Sequence, residues 1–206
     1  MTWLRITSVQ KVKDDKQSVA KRKAVQFIHH HHFGLDMPRG LKDTSGVITI
    51  GASVTESAAN TFTQSEVDLQ LDPLNNEVFV VLAIDMNVST PDGIAATDTA
   101  SRGSMSTTSR TTLGSIADSN VMAVSADEIV AAGFVDAGVG FSRSSTETPT
   151  GQLDYIGIIA TNNFFLQVLG TNNAAAKTCN IKVWGYRARA DASVYAALVQ
   201  SELLTQ

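Results

Sequence analysis

The chain has 206 residues, 43% of them apolar and 17% charged, a net charge of −4 and one cysteine. That length encloses one substantial core, the composition is that of a globular domain, and a single cysteine rules out an internal disulfide framework. No apolar run nears the roughly 20 residues of a membrane-crossing helix, and MTWLRITSVQKVKDD lacks the apolar segment of a secretory leader, so a soluble product made without export is expected.

The net charge conceals an asymmetry. Residues 1–42 hold nine Lys or Arg against three acids, a local +6, which leaves seven against seventeen, a local −10, for residues 43–206. A basic terminal arm on an acidic body suits phosphate or an acidic protein surface, because such attraction needs only rough placement. Within the arm, Lys11, Lys13, Lys16, Lys21, Arg22 and Lys23 are the candidate contacts with genomic nucleic acid or with a neighbouring copy. From Lys16 onward Ala20, Ala24, Phe27 and Ile28 follow helical spacing, so a short amphipathic helix is expected, with Phe27 and Ile28 as its apolar contacts. Gly34 and Pro38 end it, and Pro38–Gly46 reads as a linker.

His29 to His32 are the chain's only histidines. On a helix His29 and His32 share a side, and a metal site would need further ligands from elsewhere; polar residues at a helix end are the simpler reading, and an engineered run is the other. No metal ligand set and no cofactor site is assigned.

The body opens with VITIGASVT (Val47–Thr55), a strand whose central glycine suggests a bulge or a close backbone approach. Val67, Leu69 and Leu71 then alternate with Asp68, Gln70 and Asp72, a half-exposed strand leading through Asp72–Asn76 into Glu77–Val88 as a hairpin. EVFVVLAIDMNV is the core strand: Val78, Val80, Leu82, Ile84, Met86 and Val88 recur at every second residue and are expected to bury together. Between Ser89 and Asn120 fourteen of thirty-two residues are Ser or Thr, which reads as exposed surface, with Thr107–Leu113 either a polar edge strand or a loop. Ser125 is placed as the N-cap of a short helix closed by Gly133.

LDYIGIIA (Leu153–Ala160) and FFLQVL (Phe164–Leu169), split by Thr161–Asn163, are expected to pair as a hairpin. The last strand, TCNIKVWGYRAR, puts Cys179, Ile181, Val183 and Gly185 on one face, making Cys179 a core thiol rather than a nucleophile. Trp184 and Tyr186 share the other face as a candidate aromatic contact, with sheet packing, a neighbouring chain, or a stacked sugar or base as the alternatives. A helix from Asp191 carries Val194, Tyr195, Leu198, Val199 and Leu203 on one side and must dock on something.

Eight or nine short strands with a helix at each end describe an all-β fold, an antiparallel sandwich or jelly roll, with a basic arm at 1–46, a body at 47–189 and a docking helix at 190–206. That arrangement resembles the single jelly-roll capsid proteins of icosahedral viruses. The resemblance implies a structural virion protein, assembled in the host cytoplasm into a shell through its arm and C-terminal helix. Its implied partners are other copies of itself, other virion proteins and, through the arm, the genome. The arm departs from that family's arginine-rich pattern, being mixed Lys, Arg and His. A phage decoration or tail protein, or a carbohydrate-binding β-sandwich using Trp184 and Tyr186, are the alternatives. No enzyme is expected, since every histidine is in the arm and the acids of the body are scattered as strand and turn residues; a carboxylate-only glycosidase using an acid pair such as Glu147 and Asp154 is the enzymatic alternative.

Overall fold

The computed structural model describes residues 38–132, 140–145 and 153–204. These form ten strands, a short 3-10 helix (Pro73–Asn75) and one α-helix: β1 (Leu41–Asp43), β2 (Ile48–Thr55), β3 (Thr63–Asp68), β4 (Glu77–Val88), β5 (Thr99–Ser106), β6 (Val121–Val130), β7 (Gly140–Ser145), β8 (Gly157–Ile159), β9 (Asn163–Thr171), β10 (Thr178–Ala190) and α1 (Ala192–Leu204). Every strand pairing is antiparallel. One sheet, here sheet A, runs β10-β4-β8, with β1 and β2 end to end on the far flank of β10; sheet B runs β3-β9-β5-β6-β7. Without the marginal β1 and β7, the order β2-β10-β4-β8 facing β3-β9-β5-β6 is that of a jelly roll, so the expected sandwich is observed.

The core lies between the sheets. Val54, Phe79, Val81, Met86, Val88, Met105, Ala123, Ile159, Phe164, Leu166, Val168, Cys179, Ile181 and Val183 form one buried cluster. A second cluster lies on the outer side of sheet A, where Val78, Val80, Tyr186, Ala188 and Ala190 meet Val194, Tyr195, Leu198 and Val199 of α1. The expected C-terminal helix is therefore present and docked; the side chain of Leu203 lies outside the described residues.

Membership of the two clusters shows that β4 changes faces along its length. Trp184 pairs with Ala83 but Gly185 pairs with Val81, so Leu82 is an extra residue in β4. Val78 and Val80 point toward α1, whereas Ile84, Met86 and Val88 join the inner core with Phe79 and Val81. The single buried face expected for six alternating residues is split by this bulge. Gly185 makes it feasible: a Cβ there would stand 2.4 Å from the Val80 carbonyl oxygen and 2.6 Å from Phe79 Cζ.

Other expectations are corrected by the topology. The Pro38–Gly46 linker holds β1, whose Leu41 pairs with Ala190, and the Gly40 carbonyl accepts from the Asp191 amide at 2.9 Å. Gly51 sits in an unbroken register opposite Lys182, with neither bulge nor close contact. β3 and β4 lie in different sheets, as do β8 and β9, so neither pair is a hairpin: at both turns the chain crosses the sandwich. Residues 121–130 are strand β6, not the start of a helix capped by Ser125. The Ser/Thr-rich stretch contains β5, seven of whose eight residues are buried. Thr107–Leu113 takes the loop alternative, held by Arg110 N–H donating to Gln64 Oε1 at 2.9 Å and Gly114 N–H donating to Ser104 Oγ at 3.0 Å. Beneath it Gln167, fully buried, accepts from Ser104 Oγ at 2.7 Å and pairs through Nε2 with Ser106 Oγ at 2.6 Å, so small polar residues form interior rather than surface.

Candidate functional site

The outer face of sheet A is divided in two. Over the half nearest α1, Tyr186 is only 4% exposed beneath Tyr195, Leu198 and neighbouring apolar groups. This corrects its assignment as a surface aromatic: Tyr186 takes the packing alternative. Burial, then the nearby Asp43, Tyr155 and Asp154, push the Tyr186 hydroxyl above its ordinary pKa.

Past α1 the same face is open, and the register reads as three rows. Ser53, Asn180 and Asn87 lie side by side, then Gly51, Lys182 and Asp85, then Thr49, Trp184 and Ala83. All are exposed except Trp184 and Ala83, which are half-buried. β2, β10 and β4 alternate strictly here, so these outward positions are polar because the inward ones carry the core. Asn180 donates to Asn87 Oδ1 at 3.3 Å, and the Lys182 ammonium stands 5.9 Å from the Trp184 ring centroid, at the limit of a cation–π contact. The Trp184 indole is flanked in register by the small Thr49 and Ala83, and Gly51 lowers the floor beside it.

A cleft of about 380 Å³ lies where the last turns of α1 meet the sandwich, with Met122, Ile156, Ile158 and Leu198 as its apolar lining and Ser201 and Glu202 at its polar side. Glu202 is buried, and its two carboxylate oxygens accept the Ala160 and Thr161 amides at 3.0 Å each. Burial raises its pKa, partly opposed by those amides. This carboxylate fastens the end of α1 to the β8–β9 connection.

At the other end of the sandwich a buried Glu56 ties its own β2–β3 connection to the end of β9 and to the β9–β10 connection. It accepts the Thr61 amide at 3.0 Å, the Gly170 amide at 2.6 Å, the Lys177 amide at 2.8 Å and, more weakly, the Asn60 amide at 3.4 Å. Beside it Lys177 Nζ donates to Asp92 Oδ1 at 2.6 Å and to the Thr90 carbonyl at 3.1 Å, and that contact holds the Asp92 carboxyl below its ordinary pKa. Each polar group in this clamp is satisfied by its neighbours, which is how buried charge is tolerated. Its chemistry is that of a brace.

The sandwich interior becomes polar toward β7. Among the described residues, the buried Ser101 and Ser125 hydroxyls and Asp127 Oδ1 have no hydrogen-bond partner, with Arg143 Nε 3.5 Å from that Asp127 oxygen. Among the described residues no three His, Cys, Asp or Glu side chains are grouped to hold a metal ion. Cys179 is fully buried and its thiol is pushed up to about 12 by burial, in keeping with a core role. Also among the described residues, no helix is long and apolar enough to cross a membrane.

The arm residues Lys11, Lys13, Lys16, Lys21, Arg22, Lys23, Phe27 and Ile28, the run His29–His32 and Glu147 lie outside the described residues. Trp184 is legible in the sequence as a candidate contact; the grouping of Asn87, Asn180, Asp85 and Lys182 around it is not. Their alternation was visible, yet the strand partners that bring them together are set by a topology that crosses between sheets. Comparison with protein-family models, curated proteins and solved structures finds no match.

Proposed function

We propose that the protein is a structural subunit that assembles with copies of itself, and specifically a shell protein of a virus particle. The observation that carries this reading is the jelly-roll strand order, with its connections braced at one end by Glu56 and a helix fastened over the outer face of sheet A. A subunit repeated through a shell must present its loops and faces in fixed geometry, because symmetry multiplies any looseness at a contact. Fold alone does not choose between a shell protein and a binding module. The charge asymmetry favours the shell, since a +6 segment on a −10 body provides a salt-sensitive contact either to a neighbour's acidic surface or to nucleic acid.

In this reading the protein has no catalytic role, its partners are its own copies and other virion components, and its place is the virion. Electron microscopy and sedimentation of the purified full-length protein test it. Closed particles of uniform size at low salt are expected; a monomer at every salt and protein concentration overturns it.

A further inference from the structure

We propose that the open half of the outer face of sheet A is a binding site for an uncharged carbohydrate, with Trp184 as the stacking platform. The inference is independent of the shell reading.

The surface has the two kinds of group that sugar recognition needs. A pyranose ring offers a patch of C–H groups on one face and a rim of hydroxyls. Trp184 offers a partly exposed ring whose register neighbours, Thr49 and Ala83, are too small to screen it. Around it Asp85, Asn87, Asn180 and Ser53 present carboxylate, amide and hydroxyl groups that donate to and accept from adjacent hydroxyls. Gly51, with no side chain and only the Ile181 carbonyl oxygen, at 4.0 Å, near where a Cβ would stand, leaves room on the floor beside Lys182 for a ring to lie flat. Lys182 already places a cation near the indole; a bound sugar would take over that ring face, and the flexible lysine can swing aside at little cost.

Charge decides the class of sugar. On the open face Asp85 and Lys182 stand opposite each other in register and balance, so this surface carries no net charge. A sialylated or sulfated glycan, or a nucleic acid, finds no net positive charge here to offset the −10 of the body, whereas an uncharged saccharide has no such cost.

The test is binding of the full-length protein to a printed array holding neutral, sialylated and sulfated oligosaccharides, followed by calorimetry with the strongest neutral ligand. Binding to neutral glycans alone is expected, weakened at least tenfold by Trp184→Ala and by Asp85→Ala. Ser142→Ala, on the outer face of sheet B, should leave it unchanged. Trp184→Phe and Asn180→Ala, chosen to disturb folding less, should give intermediate losses at unchanged melting temperature. No binding to any neutral glycan, binding to the acidic glycans only, or full affinity in Trp184→Ala overturns the proposal.

Discussion

Gly103 of β5 lies directly against Cys179 of β10 across the sandwich: a Cβ on the glycine would stand 2.5 Å from Cys179 Sγ and 3.1 Å from Val88 Cγ1. The two sheets approach here because one side chain is missing from β5 and a small one fills the gap from β10. Gly103→Ala overpacks the site and should destabilise the fold by about 1–3 kcal/mol. Cys179→Ala removes the sulfur and should cost about 1 kcal/mol through lost contacts. In the double variant the new methyl occupies part of the space the sulfur vacated, so the combined loss should be smaller than the sum by at least about 0.5 kcal/mol. Urea unfolding of the four proteins measures this; strict additivity would contradict the contact. Thiol reagents should label the native protein only as fast as it unfolds, since burial holds the Cys179 thiol near 12.

Glu56→Ala should be among the most damaging substitutions. It leaves the amides of Thr61, Gly170 and Lys177 without their acceptor inside a buried site. At about 1–3 kcal/mol for each orphaned group the loss should reach about 3 kcal/mol or more, and Glu56→Gln should cost less because one oxygen still accepts. Chemical denaturation gives the comparison, and a loss below 1 kcal/mol in the alanine variant would show that water replaces the carboxylate.

Glu202 gives a pH dependence of defined sign. Burial raises its folded-state pKa above the ordinary 4.5, so the fold accommodates the neutral acid better than the anion relative to the unfolded chain. Its contribution is fully present below 4.5 and is lost as pH rises through the folded-state value. Glu202→Gln cannot ionise, so its melting temperature relative to the native protein should climb as pH increases from 4 through that range, then level off. A difference that stays flat, or falls, would mean that the Ala160 and Thr161 amides outweigh desolvation. Asp92 runs the other way: its carboxyl is lowered chiefly by the Lys177 hydrogen bond, so its contribution is present above the ordinary 3.8 and disappears as pH falls below it.

What the sequence disclosed followed from how strongly one physical signal outweighed the rest. The inner residues of β10, Cys179, Ile181 and Val183, and the apolar stripe of α1 were legible because burial leaves an unambiguous period. β5 was not, because Ser104 and Ser106 are buried by a loop and satisfied through Gln167, so composition pointed to water where the fold supplies hydrogen bonds. β6 was mistaken for a helix because Ser125 and Asp127 face the interior, where their polarity resembles a cap rather than a strand. The bulge at Leu82 left no mark in β4 itself; Gly185, which makes room for it, lies about a hundred residues later on the paired strand. Of the candidate site, Trp184 was visible and its neighbours were not, since Asn87 and Asn180 meet only once β4 and β10 pair.

The position of β1 sets where the arm can be removed without harming the body. Leu41 to Asp43 pair with β10, Gly40 adopts a φ of +82° that favours glycine, and its carbonyl receives the Asp191 amide at the head of α1. A truncation through Gly46 should therefore lower the melting temperature, whereas one ending at Met37 should leave cooperative unfolding intact. Equal stability of the two truncations would show that β1 contributes nothing.

Assembly driven by the arm, as proposed, is open to its most direct test in sedimentation velocity of the full-length protein beside a chain lacking residues 1–37, both in low and high salt. The full-length protein should sediment as large particles that shrink or dissociate as salt rises, because the arm's lysines and arginines act through screened charge. The truncated chain should remain a folded monomer or small oligomer at every salt concentration. Particles of the same size from both chains, or a monomer from both, would contradict the account.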